Sequence, residues 1–226
     1  ANVYDNGSGE FKNLQTLQRY DDASDTWEQV RGDIHLIDGG DFANANLLSA
    51  KGPFGEYSGE VWPKNAGYAF AACSNGTTMY LYGGQRDFDN PEIYSGFYKF
   101  NGTEWALISD AGITSTYIYN NPTLPVTNPG NRVDASGAYD AVNDRYFLFG
   151  GYMETNVNGS RVLQRTDDFW VYENETWILL SGVNSGANAE RNGSYGTLGQ
   201  ASASNYPGSR HSAMTWVDQN GDFWMF

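Results

Sequence analysis

A chain of 226 residues carrying 16 Tyr, 12 Phe and 7 Trp favours strands over a helical bundle, because aromatic side chains suit a pleated surface. The net charge of −14 repels a phosphate backbone and argues against nucleic acid as a partner. No apolar run approaches the ~20 residues of a membrane-crossing helix, and Cys73, the single cysteine, rules out an intramolecular disulfide.

In chain order, Leu17 to Tyr20, a polar turn and Trp27 predict a strand pair near the N-terminus. Residues 68–73 predict a strand in which Cys73 is a buried small hydrophobe. Tyr80-Leu81-Tyr82 follows and ends at Gly83-Gly84. Residues 96–100, a turn at Asn101-Gly102-Thr103-Glu104 and then Trp105 predict two more strands. Pro129-Gly130-Asn131-Arg132 leads into the fullest copy of the pattern. There the expected elements are a strand over 134–140, a turn at Asn143-Asp144, a strand over 146–149 closed by Gly150-Gly151, a loop over 152–166, a strand over 167–172, a turn over 174–176 and a strand over 177–180. Pro207-Gly208-Ser209-Arg210 then leads into strands over 211–216 and 221–226, around a turn at Asp218-Gln219-Asn220.

Three markers keep one order along this chain. A proline-containing lead-in (Trp62-Pro63 in the first copy) precedes a glycine pair, then an aromatic strand, then a tryptophan. Trp27, Trp105 and Trp177 recur at spacings of 78 (27 to 105) and 72 (105 to 177). Such order marks tandem supersecondary units, each a four-stranded antiparallel meander. Glycine at the end of the second strand tolerates positive φ and lets neighbouring backbone approach.

The glycine pair after an apolar strand, followed by Tyr and then Trp across a short polar turn, resembles the kelch repeat. The Pro-Gly-x-Arg lead-in is similar to a kelch subgroup with long inter-blade loops. The resemblance implies an all-β chain, a segment of a β-propeller built of four-stranded antiparallel blades. It divides the chain into a partial blade over 1–32, blades over 33–110 and 111–182, and a partial blade over 183–226. The spacing exceeds the ~50 residues of a usual kelch repeat, and the Trp62-Pro63 lead-in lacks the arginine. A third glycine pair is due just after Phe226, so further chain, or strands of neighbouring copies, are expected to complete the ring.

Propellers host many functions, so function must be sought in the surface. Six Asn-x-Ser/Thr sequons, at Asn6, Asn75, Asn101, Asn158, Asn174 and Asn192, fall in expected turns or loops. They are the candidate N-glycosylation sites of a secreted or cell-surface protein. Meander geometry puts Asn75, Asn101 and Asn174 on one face and the other three on the opposite face. Asp21 to Asp25 and Asp218 to Asp222 space oxygen ligands as calcium loops do, but neither has the closing glutamate of an EF-hand. Turns account for both. His35 and His211 sit in no Ser/His/Asp pattern, and no residue is assigned to catalysis, a cofactor or a metal. Tyr117, Tyr119, Tyr195 and Tyr206 could stack on sugars or pack the long loops. The reading is an extracellular structural or adhesive glycoprotein module that is not an enzyme. Its expected partners are other proteins or copies of itself, with glycans as a further class. A carbohydrate-binding propeller is the alternative, and a copper oxidase resembling galactose oxidase comes third.

Overall fold

The computed structural model describes residues 2–5, 10–13, 16–32, 55–57, 63, 71–85, 93–110, 128–157, 160–182 and 190–226. Among these every regular element is a strand, so the chain is all-β. Strands β1 (Asn2–Asp5) and β2 (Glu10–Asn13) form a hairpin, as do β3 (Thr16–Asp21) and β4 (Thr26–Gly32). A four-stranded antiparallel sheet follows in chain order: β5 (Ala71–Ser74), β6 (Met79–Tyr82), β7 (Phe97–Phe100) and β8 (Trp105–Ser109).

The second half begins with β9 (Arg132–Val133) and builds another four-stranded sheet. Its order is β10 (Ser136–Asp140), β11 (Arg145–Phe149), β14 (Phe169–Glu173) and β15 (Thr176–Ser181). Between β11 and β14 lie β12 (Tyr152–Val157) and β13 (Ser160–Arg165), which join β9 in a three-stranded sheet. The last element is a hairpin of β16 (Thr215–Val217) and β17 (Phe223–Met225). The two meanders therefore form where the repeat markers put them, flanked by two-stranded sheets.

Of the boundaries that differ from those expected, three bear on the fold. The strand expected over 134–140 begins at Ser136, because Asp134 takes a φ of 55° and breaks the extended ladder after β9. The loop expected over 152–166 is mostly the β12–β13 hairpin, whose register runs from Tyr152↔Arg165 to Val157↔Ser160. The pair Asn158-Gly159 in the sequence between the two strands is a strong hairpin signal as well as part of a sequon, and both residues lie outside the described ones. The strand expected over 211–216 shrinks to Thr215–Val217, and Ser212 repeats the Asp134 distortion with a φ of 53°.

The core lies between successive sheets. Tyr82 and Phe97 of one four-stranded sheet meet Tyr146, Leu148, Trp170 and Trp177 of the next, all buried. On the first sheet's other face, Leu81, Tyr98, Phe100, Trp105 and Leu107 are covered by Leu17 and Val30 of β3–β4. On the second sheet's far face, Phe147 and Phe169 meet Phe223 of β17, with ring centroids 5.4 and 4.6 Å apart. Central strands are thus covered on both sides, which is why β11 reads as an apolar run from Tyr146 to Phe149. The first strands of successive sheets also adjoin: β10 touches both β5 and β16.

Candidate functional site

One hydrogen-bond network fastens each glycine pair to the next lead-in, and it occurs twice. Gly83 N–H donates to Gly96 O, Gly84 N–H to Arg132 O, Tyr94 N–H to Gly84 O, and Arg132 N–H to Tyr94 O. One repeat later, Gly150 donates to Asp168 O, Gly151 to Arg210 O, Thr166 to Gly151 O, and Arg210 to Thr166 O. The glycines are required by this approach. Their φ angles are positive, and a Cβ on Gly83 or Gly150 would lie 2.5 Å from the carbonyl oxygen of Arg132 or Arg210.

Arg132 is fully buried, and its guanidinium is satisfied on every side. It pairs in bidentate fashion with Asp168, Nη1 to Oδ1 at 2.9 Å and Nη2 to Oδ2 at 2.7 Å. It also donates to Gly150 O and Pro129 O. Thr166 Oγ1 and Trp170 Nε1 donate to the same carboxylate. Burial alone would raise the Asp168 carboxyl, but the Arg132 charge and these donors outweigh it and hold the group below its ordinary value. In the preceding unit the place of Asp168 in the backbone network is taken by Gly96. Acid and lead-in arginine are therefore missing together, as the cost of burying either charge alone demands. This cluster is structural bracing and offers no reactive group to solvent.

Between the ends of the two four-stranded sheets opens a cleft of about 600 Å³. Its aromatic wall is Tyr80, Tyr139 and Tyr172; its polar wall includes Lys99, Asp144, Arg145 and Glu173. Tyr139 lies flat on Tyr80, with centroids 5.2 Å apart and planes 10° apart, and donates its hydroxyl to Asp144 Oδ1. Desolvation raises all three phenols above their ordinary range, helped at Tyr139 by Asp144 and at Tyr172 by Glu175. Arg145 is steered by Asp140, whose buried carboxylate accepts its Nε–H at 2.8 Å and caps the Val142 and Asn143 amides. The β10–β11 turn is thereby held rigid under the cleft.

A second feature is the outer face of β16–β17. Trp216 and Trp224 stack with planes 5° apart, and both are exposed, together with Met214 and Phe226. Trp224 Nε1 donates to Asp218 Oδ2, which fixes one indole over the turn. At the other end, Trp27 is 69% exposed, whereas its repeat counterparts Trp105 and Trp177 are 3% and 7% exposed.

Four of the six sequon residues lie among the described residues; Asn6 and Asn158 lie outside them. Asn101, Asn174 and Asn192 are exposed and Asn75 is half-buried. Asn75 and Asn101 use Oδ1 to cap their own turns, accepting from the amides of Thr77 and Thr78, and of Thr103 and Glu104. Asn174 lines the tyrosine cleft.

The remaining candidates separate. Cys73 is half-buried against the inter-sheet core, and burial pushes its thiol up to about 12. It therefore stays protonated, as a packing residue does. Asp21 and Asp218 are spent on their turns, accepting from the Ala23 amide and from the Asn220 and Asp222 amides. Among the described residues no cluster of three His, Cys, Asp or Glu could hold a metal ion. His211 is exposed beside Tyr152; His35 lies outside the described residues. Tyr206 packs under the Arg191 guanidinium at 3.8 Å, while Tyr195 is exposed and accepts from Arg210. Tyr117 and Tyr119 lie outside the described residues. The cleft's tyrosines sit on strands, and the sequence marks them only as strand residues. The one local signal for them is that Tyr80 and Tyr139 stand near strand ends, beside polar turns.

No protein-family model matches the chain, and none of the curated proteins is detectably similar.

Proposed function

We propose that this chain is a kelch-like β-propeller segment serving as an extracellular structural or adhesive module. Its rigid sheets hold turns and exposed aromatic faces for contact with other proteins or with copies of itself. The observation that carries this reading is the Met214/Trp216/Trp224/Phe226 face. Counted from the glycine-pair position, Trp224 takes the place of Tyr80 and Phe147, side chains that pack against the following sheet, so this face has the chemistry of a sheet-to-sheet contact. The repeated glycine-pair network and the adjacency of β5, β10 and β16 support the propeller geometry, since radial repetition sets the first strand of each blade beside the next. The exposed turns at Asn101 and Asn174 and the exposed Asn192 suit glycosylation in a secreted protein.

Sedimentation equilibrium across a concentration series tests the contact. Association is expected, and Trp216→Ser with Trp224→Ser is expected to abolish it while leaving the melting transition in place. A strictly monomeric chain at its highest soluble concentration would remove self-assembly from the reading. Expression through a secretory pathway, with intact mass measured before and after glycosidase, tests the compartment. No mass shift would count against an extracellular glycoprotein.

A further inference from the structure

We infer that the cleft between the two four-stranded sheets is a binding site for a neutral pyranose sugar. Its volume of about 600 Å³ falls within the ~300–1,000 Å³ of small-molecule sites. That is room for one or two sugar rings. Three kinds of group converge on it. In the aromatic wall of Tyr80, Tyr139 and Tyr172, Tyr80 stacks on both Tyr139 and Phe97, and Tyr139 and Tyr172 offer the π faces that carry negative charge density. The axial C–H bonds on one face of a pyranose are weakly positive and lie flat against such a surface. Asp144 and Glu173 are acceptors for paired ring hydroxyls, and Arg145 and Lys99 are donors, with Asn143 and Asn174 at the margin.

The charge balance narrows the ligand class. Two cations, Lys99 and Arg145, stand among three carboxylates, Asp144, Glu173 and Glu175. No strong field of one sign results, so neither phosphate nor nucleotide is favoured. The cations are also engaged: Arg145 with Asp140 and over the Phe147 ring, Lys99 over the Tyr57 ring at 5.0 Å. A ligand that needs hydroxyl-sized hydrogen bonds and one flat apolar face fits this arrangement better than an ion does. The groups are preorganised as well, since Tyr139 is clamped between Tyr80 and Asp144 and Arg145 is held by a buried carboxylate.

The sugar could belong to a partner's glycan or to the chain's own glycan at Asn174, on the cleft wall. Both present the same chemistry, and the site is separate from the β16–β17 face, so failure of self-association would leave it standing. The test is NMR titration of the bacterially produced, unglycosylated chain with N-acetylglucosamine, galactose and cellobiose, with choline as the cationic comparison. Saturable shifts are expected in the amides of residues 139–146 and 172–175 for at least one sugar, with a roughly millimolar Kd. Tyr139→Ala should weaken that binding about tenfold and Tyr139→Phe less than about threefold, the cost of losing a stacking face against that of one hydroxyl. Glu173→Gln, at a half-buried position on the cleft wall, should also weaken it and guards against a folding defect in Tyr139→Ala. Absence of saturable shifts with all three sugars would overturn the inference. So would choline binding with the sugars silent, or shifts confined to Tyr195 and Tyr206. Repeating the titration on secreted protein before and after glycosidase separates the sources: binding blocked until the glycan is removed identifies the chain's own sugar.

Discussion

At the residue scale the molecule depends on a few positions where charge or backbone geometry leaves no substitute. Arg132 and Asp168 form a fully buried ion pair. Removing one partner strands the other in low dielectric. Arg132→Met is therefore expected to cost about 3–5 kcal/mol in urea unfolding, and Arg132→Lys an intermediate amount, since an ammonium cannot reproduce the fork. The glycines divide by surroundings. Gly102 has a φ of 97° but nothing within 4 Å of where a Cβ would stand, whereas at Gly151, with a φ of 94°, a Cβ would lie 2.6 Å from Val133 O and 2.8 Å from Ala135 N. Gly102→Ala should cost about 1 kcal/mol from the backbone alone. Gly151→Ala should cost clearly more, because backbone has to move. Equal losses in the two variants would show that close approach is not what selects glycine at the pair.

At the element scale, one sequence marker has two fates set by its neighbours. Trp105 and Trp177 lie on fourth strands that face a preceding sheet, and are buried. Trp27 lies on the equivalent strand β4 and stands in solvent beside Tyr20, with ring centroids 5.3 Å apart. Trp177→Ala removes a ring that contacts Tyr82, Phe97, Tyr146 and Tyr172, and should destabilise by about 3–5 kcal/mol. Trp27→Ala should change the unfolding free energy by no more than about 0.5 kcal/mol. Calorimetry on the two variants checks the contrast. The hairpin of β12 and β13 makes the same point in reverse: its turn signal is local, but what gives it a place in the fold is the pairing of Tyr152 and Met153 with Val133 and Arg132.

At the scale of the whole molecule, sheets stack through shared aromatic layers, and stability is distributed over those interfaces and their polar braces. Acid should loosen the braces. The folded Asp168 carboxyl sits below its unfolded value of about 3.9. Its contribution is therefore fully present above that value and lost as pH falls through the lower folded value. Unfolding free energy measured from pH 7 downwards should begin to fall below about pH 5. In Arg132→Met burial is left to dominate Asp168, so the same acidification should cost less or even stabilise. A parallel pH profile in the two proteins would assign the acid sensitivity elsewhere.

The strand-rich class, the two four-stranded meanders and the places of their turns are all legible in the amino-acid sequence. Those features follow from local physics: aromatic and β-branched runs, Asn and Gly at turns, and glycine pairs where φ must be positive. The lead-in motif also marks Arg132, but not the acid it meets, because Asp168 is 36 residues away and becomes a partner only when the glycine-pair network folds the lead-in back on β14. Tyr80, Tyr139 and Tyr172 are legible as strand residues and nothing more. Only the packing of one sheet on the next brings them together as a cleft wall, and only that packing decides which tryptophans are buried and which remain in water.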